Sequence, residues 1–372
     1  MKLFLLLGLL AGGTAMASPV RFYLGTYTNN PLSRGIYTGT LETSTGRLGP
    51  IELAATALSP SFVALAPGGK FLYACTAANG GSIAAFRVRA DGKLTPLNEE
   101  AADKGTCHVS VDATGRNVFA ANYGAGSAAC FQTRPDGSLS GRTALVPFSG
   151  SGPNPQRQTH PFIHSMYIAP GNHFVYACDL GTDNIRLFNF DSANGTLTAA
   201  SAPAGRVPPG SGPRHLALSA DGRFAYVNGE MGMNVTAFAR NPETSRLTAL
   251  QTLSTLPPGE DTNGMTSAEI FCHPSGKWLY VSNRDVASRD RDSIAVYAIG
   301  ADGKLTWQQD ARVPVKVPRG FGIDPTGQWL IVGGQQDHKI AVLKIDGATG
   351  QLAVTDQSAT VGSPICVIFA AK

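Results

Sequence analysis

Charge is scarce in this chain of 372 residues. Only 15% of the positions carry Asp, Glu, Lys or Arg, the net charge is +4, and no Lys/Arg-rich run occurs. A protein that tracks the phosphates of a nucleic acid needs a basic stripe, so no nucleic-acid partner is expected. Metal-binding patterns are missing as well. Cys75, Cys107, Cys130, Cys178, Cys272 and Cys366 show no C-x-x-C or other zinc spacing, and neither a metal nor a cofactor is expected. The apolar run Leu3–Leu10 is too short to cross a bilayer as a helix, and no stretch carries a convincing helical period.

Glycine and proline, by contrast, are plentiful (43 and 24), as many tight turns between short strands require. The N-terminus stands apart from that pattern. Lys2, the apolar run and Ala15-Met16-Ala17 have the three-part form of a secretory signal peptide over residues 1–17. The mature chain is then expected to begin at Ser18 and to be periplasmic or secreted. No Cys follows the cleavage site, so no lipid anchor and no membrane attachment is expected after cleavage. An oxidising compartment permits disulfides. Cys75 and Cys178, however, hold the same strand position in two repeats, which fits buried small hydrophobes, and the sequence gives no pairing.

Residues 18–372 read as one repeated sentence. Pro213–Leu218, the turn Ala220-Asp221-Gly222-Arg223 and Phe224-Ala225-Tyr226-Val227 form a hairpin. Its turn and second strand recur around Tyr23, Tyr73, Phe119, Tyr176, Tyr226, Tyr280 and Ile331, at steps of 46 to 57 residues. Each copy continues into an outer hairpin, as in Ser82–Val88 followed by Asp91-Gly92. A period near fifty residues built from strands predicts an all-β fold, a seven-bladed β-propeller with four-stranded blades. The copy at Tyr23 lacks its first strand. Gly362–Phe369, the last strand pattern in the chain, is expected to supply it and so close the ring.

Internal symmetry then predicts a site. The position of Arg214 is filled in other copies by Ser61, Cys107, His164, Ala268 and Arg319. That of Glu230 is filled by Tyr27, Ala77, Tyr123, Leu180, Arg284 and Gln335. One set begins the inner strands and the other ends the strands beside them, so both belong at one mouth of the central channel. Packing positions would repeat the same residue in every copy. These vary toward charge, and His164, Arg214, Glu230, Arg284, Arg319 and Gln335 are expected to converge there around an anionic partner. An arginine at such a mouth is expected to be solvated. His215, Glu269 and His108 occupy the next inner-strand position and are expected to point away from the channel, in a supporting role. His160 has no repeat equivalent. Three irregular segments (Ser149–Phe162, Pro257–Ser267 and Asp285–Asp292) gather at the same mouth, as binding loops do on rigid scaffolds.

Gly212-Pro213-Arg214-His215, Val227-Asn228-Gly229-Glu230, Leu279–Arg284, and Pro318–Phe321 with Gly333–Gln335 resemble the lactonase family of seven-bladed propellers. That family includes propeller-type 6-phosphogluconolactonases and the fungal carboxy-cis,cis-muconate cyclising enzyme. The resemblance runs from Phe22 to Phe369. It implies four functional positions, a His, an Arg, a Glu and a second Arg, which fall by motif on His164, Arg214, Glu230 and Arg284. Arg319 and Gln335 match further family motifs.

The expected activity is hydrolysis of a small anionic sugar lactone by a monomer. His164 or Glu230 would serve as base, and Arg214 and Arg284 would hold the carbonyl oxygen or the substrate's acid group. Arg319, Gln335, His215 and Glu269 would support substrate binding. A cycloisomerase on an unsaturated dicarboxylate would use the same anion clamp. A secreted binding propeller without catalysis is the third reading, since strands such as Trp278–Asn283 also look like repeats of surface-layer propellers. Such a module would not need His, Glu and paired Arg at one mouth.

Overall fold

The computed structural model describes residues 19–370. The expected signal peptide and its cleavage before Ser18 lie outside the described residues. Seven antiparallel sheets of four strands surround a central axis, each ordered from an inner strand to an outer one. The blade at Tyr226 is typical, with strands Pro213–Leu218, Phe224–Gly229, Asn234–Arg240 and Leu247–Ser254. Its two inner strands pair Leu216 with Val227 and Leu218 with Ala225. Gly222, at φ +67°, makes the left-handed step of the turn between them. In two blades the outer strand is split: Arg47–Leu48 and Glu52–Thr56 both pair with Gly35–Glu42, and Thr196–Ala199 and Gly205–Arg206 both pair with Asn184–Asp191.

The ring closes as the sequence predicts. Pro364–Phe369 forms the inner strand of the N-terminal blade, with Phe22 opposite Phe369 and Leu24 opposite Val367. Val20–Thr26 is therefore paired on both sides, and the N-terminal blade has its full set of strands.

The repeated aromatic anchor has a structural cause. The Tyr23, Tyr73, Tyr176 and Tyr280 hydroxyls donate to the carbonyls of Gly92, Gly137, Ser245 and Gly350, each in the outer turn of the next blade. Trp329 Nε1 does the same across the closure, donating to the Thr43 carbonyl at 2.8 Å. Each of these five side chains is thus a buried aromatic body with one polar tip, and the tip ties neighbouring blades together. The anchors Phe119 and Ile331 have no such tip, and the buried Tyr226 hydroxyl has no partner. Gly137 shows why these turns need glycine: its φ is +88°, and a Cβ there would lie 2.1 Å from the Phe71 ring. All six cysteines are free thiols, four of them buried.

One departure from regular pairing positions the site. At the end of the inner strands nearest one mouth the register shifts between Thr106 and His108, Ile163 and Ser165, Pro213 and Leu216, Ser267 and Ile270, and Pro318 and Gly320. The residues carried by these β-bulges are Cys107, His164, Arg214 with His215, Ala268 with Glu269, and Arg319. A bulge leaves a residue out of the ladder and re-aims its side chain. Apart from Ser61, which precedes its strand, the symmetry-equivalent set read from the sequence is therefore a set of bulged residues.

Candidate active site at one mouth of the channel

The bulged residues and the ends of the second strands line a cavity of about 400 Å³. Its walls include Tyr27, Tyr123, Arg157, His164, Glu230 and Arg319. A small chamber beneath it is bounded by His164, Arg214, His215, Glu269 and Arg319.

Glu230 is the centre of charge. Its Oε2 receives Arg214 Nε at 3.0 Å and lies 3.2 Å from Arg284 Nη2, while its Oε1 receives Arg157 Nη2 at 2.7 Å. Burial alone would raise its carboxyl, but Arg284 and Arg214, helped by Arg157, bring it down to about 2. Glu230 is therefore ionised at every working pH. Arg214 also donates to the Ala268 carbonyl at 2.6 Å and faces His215 Nε2 at 3.4 Å. Arg284 donates to the Ser267 carbonyl at 3.1 Å, and its Nε is buried without a partner.

Both arginines were expected to be solvated, and neither is. The Arg214 side chain is only 3% exposed and that of Arg284 6%. The bulges carry them inward, and the ion pairs with Glu230 make that burial tolerable. Arg284 does not line the cavity at all: it stands behind Glu230. Arg319 does line it, with its guanidinium 5.8 Å from the centre of the Tyr27 ring and no ion pair among the described residues.

His164 is buried, and its Nδ1 has no hydrogen-bond partner. Burial, reinforced by the Arg214 charge, holds its pKa well below the ordinary histidine value, so the ring is neutral. Tyr123 packs edge-on against it at 5.5 Å.

His215, Glu269 and His108 do not point away from the channel. Rings from separate blades meet on the axis, with His215 lying 5.2 Å from His164, 5.3 Å from His108 and 5.6 Å from Phe62. Simple strand alternation fails here because a bulge lets consecutive residues face the same way. The displaced backbone is satisfied locally: Asn228 Oδ1 accepts from the His215 N–H and Ser282 Oγ from the Glu269 N–H. His215 Nδ1 lies 2.7 Å from Glu269 Oε1. Burial pushes the Glu269 carboxyl up to about 7 and holds both histidines well below their usual value.

Gln335 is half-buried, its backbone N–H donates to the Val317 carbonyl, and its side chain is not part of the cavity wall. His160 is exposed and stacks on Phe162. Asp285–Asp292 and the segment before Met265 are fastened to each other by Arg289 and Arg291 on the Asn263 carbonyl, and neither lines the cavity. The third irregular segment does contribute, through Arg157, a residue that symmetry could not find because it has no repeat equivalent. The only sequence signal for it was the length of Ser149–Phe162. Among the described residues no group of three or more His, Cys, Asp or Glu converges as metal ligands do.

Comparison with known proteins gives the chain its relatives. A family model described as "Lactonase, 7-bladed beta-propeller" matches residues 21–369. The 6-phosphogluconolactonase of Bacillus subtilis is 33% identical over 351 residues, covering 93% of this chain and 97% of its own. That of Formosa agariphila is 29% identical over 346 residues, 91% of this chain and 96% of its own. The solved structure of the periplasmic gluconolactonase of Pseudomonas aeruginosa superposes with a TM-score of 0.87 at 29% identity, over 95% of this chain and 99% of that one.

Proposed function

Since this chain belongs to the seven-bladed β-propeller lactonase family, we propose that it hydrolyses a small anionic sugar lactone at the channel mouth lined by His164 and Glu230. The observation that carries the reading is a neutral imidazole, His164, beside an unpaired cation, Arg319, in one cavity. Arg157 and Arg319 line that cavity with a single ionised carboxylate, Glu230, and Arg214 adds a third guanidinium in the chamber beneath, so the site holds positive charge in excess. In a poorly solvated pocket that excess favours an anionic ligand.

The lactone carbonyl sits toward the small chamber, where Arg214 and Arg319 stabilise the charge that develops on its oxygen. A water molecule attacks the carbonyl carbon while His164 takes its proton. The tetrahedral intermediate then breaks its ring C–O bond, and the departing oxygen recovers the proton from His164. The product is a hydroxy acid, which ionises to its carboxylate and a free proton. Glu230, bound to three arginines, is a poor proton acceptor. Its part is to hold Arg214 in place, with Arg284 bracing it from behind.

We further propose export through residues 1–17, a reading in keeping with the periplasmic location of the Pseudomonas aeruginosa relative. The test is acid release from a panel of sugar lactones, phosphorylated and neutral, by the protein beginning at Ser18. Turnover of one or more, lost in His164→Ala, is the expected result. Failure to hydrolyse any of them would overturn the proposal.

A further inference from the structure

The third arginine on Glu230 is in surplus. Arg214 and Arg284, both buried, already satisfy one carboxylate oxygen and over-compensate its charge. Arg157 alone takes the other oxygen, at 2.7 Å, and its side chain is 41% exposed. An ion pair with one partner so open to solvent contributes little to stability, so it is cheap to exchange. The backbone beneath it, in contrast, is fixed. The Arg157 N–H donates to Asn154 Oδ1, and the neighbouring Gln158 is buried, with its amide donating to the Leu180 carbonyl and Asp183 Oδ1 at 2.9 Å each. A fixed base and a half-exposed tip, facing a cavity, describe an arm that can choose between two anions.

We infer that Arg157 is the specificity-determining cation of this site: it leaves Glu230 Oε1 for the phosphate or carboxylate of the substrate. Its guanidinium can meet such a group through two parallel N–H donors, which a single carboxylate oxygen does not use. The exchange has a second consequence. It frees Glu230 Oε1 toward the cavity, where it accepts a hydrogen bond from a substrate hydroxyl or from water only once the anion is bound. A neutral lactone does not trigger the exchange.

This inference rests on the lactonase reading, and its test separates the two. The kcat/KM ratio of 6-phosphogluconolactone over glucono-δ-lactone is measured for the wild type, Arg157→Ala and Arg157→Lys. The ratio is expected to fall about 10- to 100-fold in Arg157→Ala, the range of a lost charge-assisted contact, and to recover in part in Arg157→Lys. An equal loss on both lactones would make Arg157 a mere brace for Glu230 and overturn the inference. Calorimetric binding of 6-phosphogluconate against gluconate reads the same preference without turnover. If the wild type hydrolyses neither lactone, a binding preference for the phosphorylated acid that Arg157→Ala abolishes still supports the arm. Equal preference in wild type and variant overturns it.

Discussion

Arg214 and Glu230, sixteen positions apart in sequence, meet at 3.0 Å between Nε and Oε2, with both side chains buried at the head of one hairpin. The hairpin brings them to the same end, and the bulge at Arg214 turns the guanidinium inward. Their pairing makes Arg214 a structural and a chemical residue at once. Arg214→Ala is expected to lower kcat/KM on the order of 10²-fold or more, as loss of an oxyanion donor does. It is also expected to cost about 3 kcal/mol of stability, the low end for breaking a buried pair, because Arg284 and Arg157 still hold the carboxylate. Kinetics and urea unfolding of one preparation check both. An unchanged midpoint would mean the pair is not buried in solution.

The ring closure makes a second prediction. A chain ending before Gly362 lacks the Pro364–Phe369 strand and leaves Val20–Thr26 unpaired on its inner side. It is expected to lose its cooperative transition, since each blade buries its faces only against neighbours. An unchanged melting temperature in the truncated protein would contradict this.

Glu269 predicts a pH dependence of known sign. Its carboxyl rises to about 7 in the fold from an ordinary value of 4.5, so the folded state favours the neutral form. Its contribution is fully present below about 4.5 and is lost as the pH rises through about 7. His108, His164 and His215, held well below their usual pKa, act in the opposite sense, losing stability as the pH falls below the ordinary histidine range. The informative quantity is a difference. Relative to wild type, Glu269→Gln should become more stable as pH is raised from 5 to 8, measured by urea unfolding. A pH-independent difference would show that Glu269 keeps an ordinary carboxylate pKa.

Tyr280 predicts the cost of an interblade tie. Tyr280→Phe leaves the Gly350 carbonyl without its 2.8 Å donor while keeping the buried ring. A loss of about 1–2 kcal/mol is expected, with kcat/KM for any lactone unchanged, since Tyr280 lies in the blade interior. A variant as stable as the wild type would mean that the hydroxyl tie is not what the repeated anchor contributes.

The export reading predicts that protein recovered from the periplasm begins at Ser18, which intact-mass spectrometry would decide. Recovered protein that still carries Met1 would refute it.

What the sequence determined by itself was the periodic part of this protein. Seven anchors such as Tyr73 and Tyr280 fixed the number of blades, because each is the buried apolar centre of one blade's second strand and recurs once per blade. The strand pattern after Gly362 fixed the closure, because the copy at Tyr23 lacked a partner. Even the mouth of the channel was legible, since superposing the repeats selected Cys107, His164, Arg214 and Arg319, which prove to be the bulged residues. Three things were decided only in the tertiary structure. A bulge inserts a residue without any mark in the local pattern, so strand alternation misdirected His215 and Glu269. Burial follows from what surrounds a side chain in space, so Arg214 and Arg284 gave no sign of leaving solvent. Arg157 reaches Glu230 across 73 residues of chain from a loop with no counterpart in the other blades. No repeat could predict that contact, because it depends on how one irregular segment packs against Leu180 and Asp183 rather than on any period.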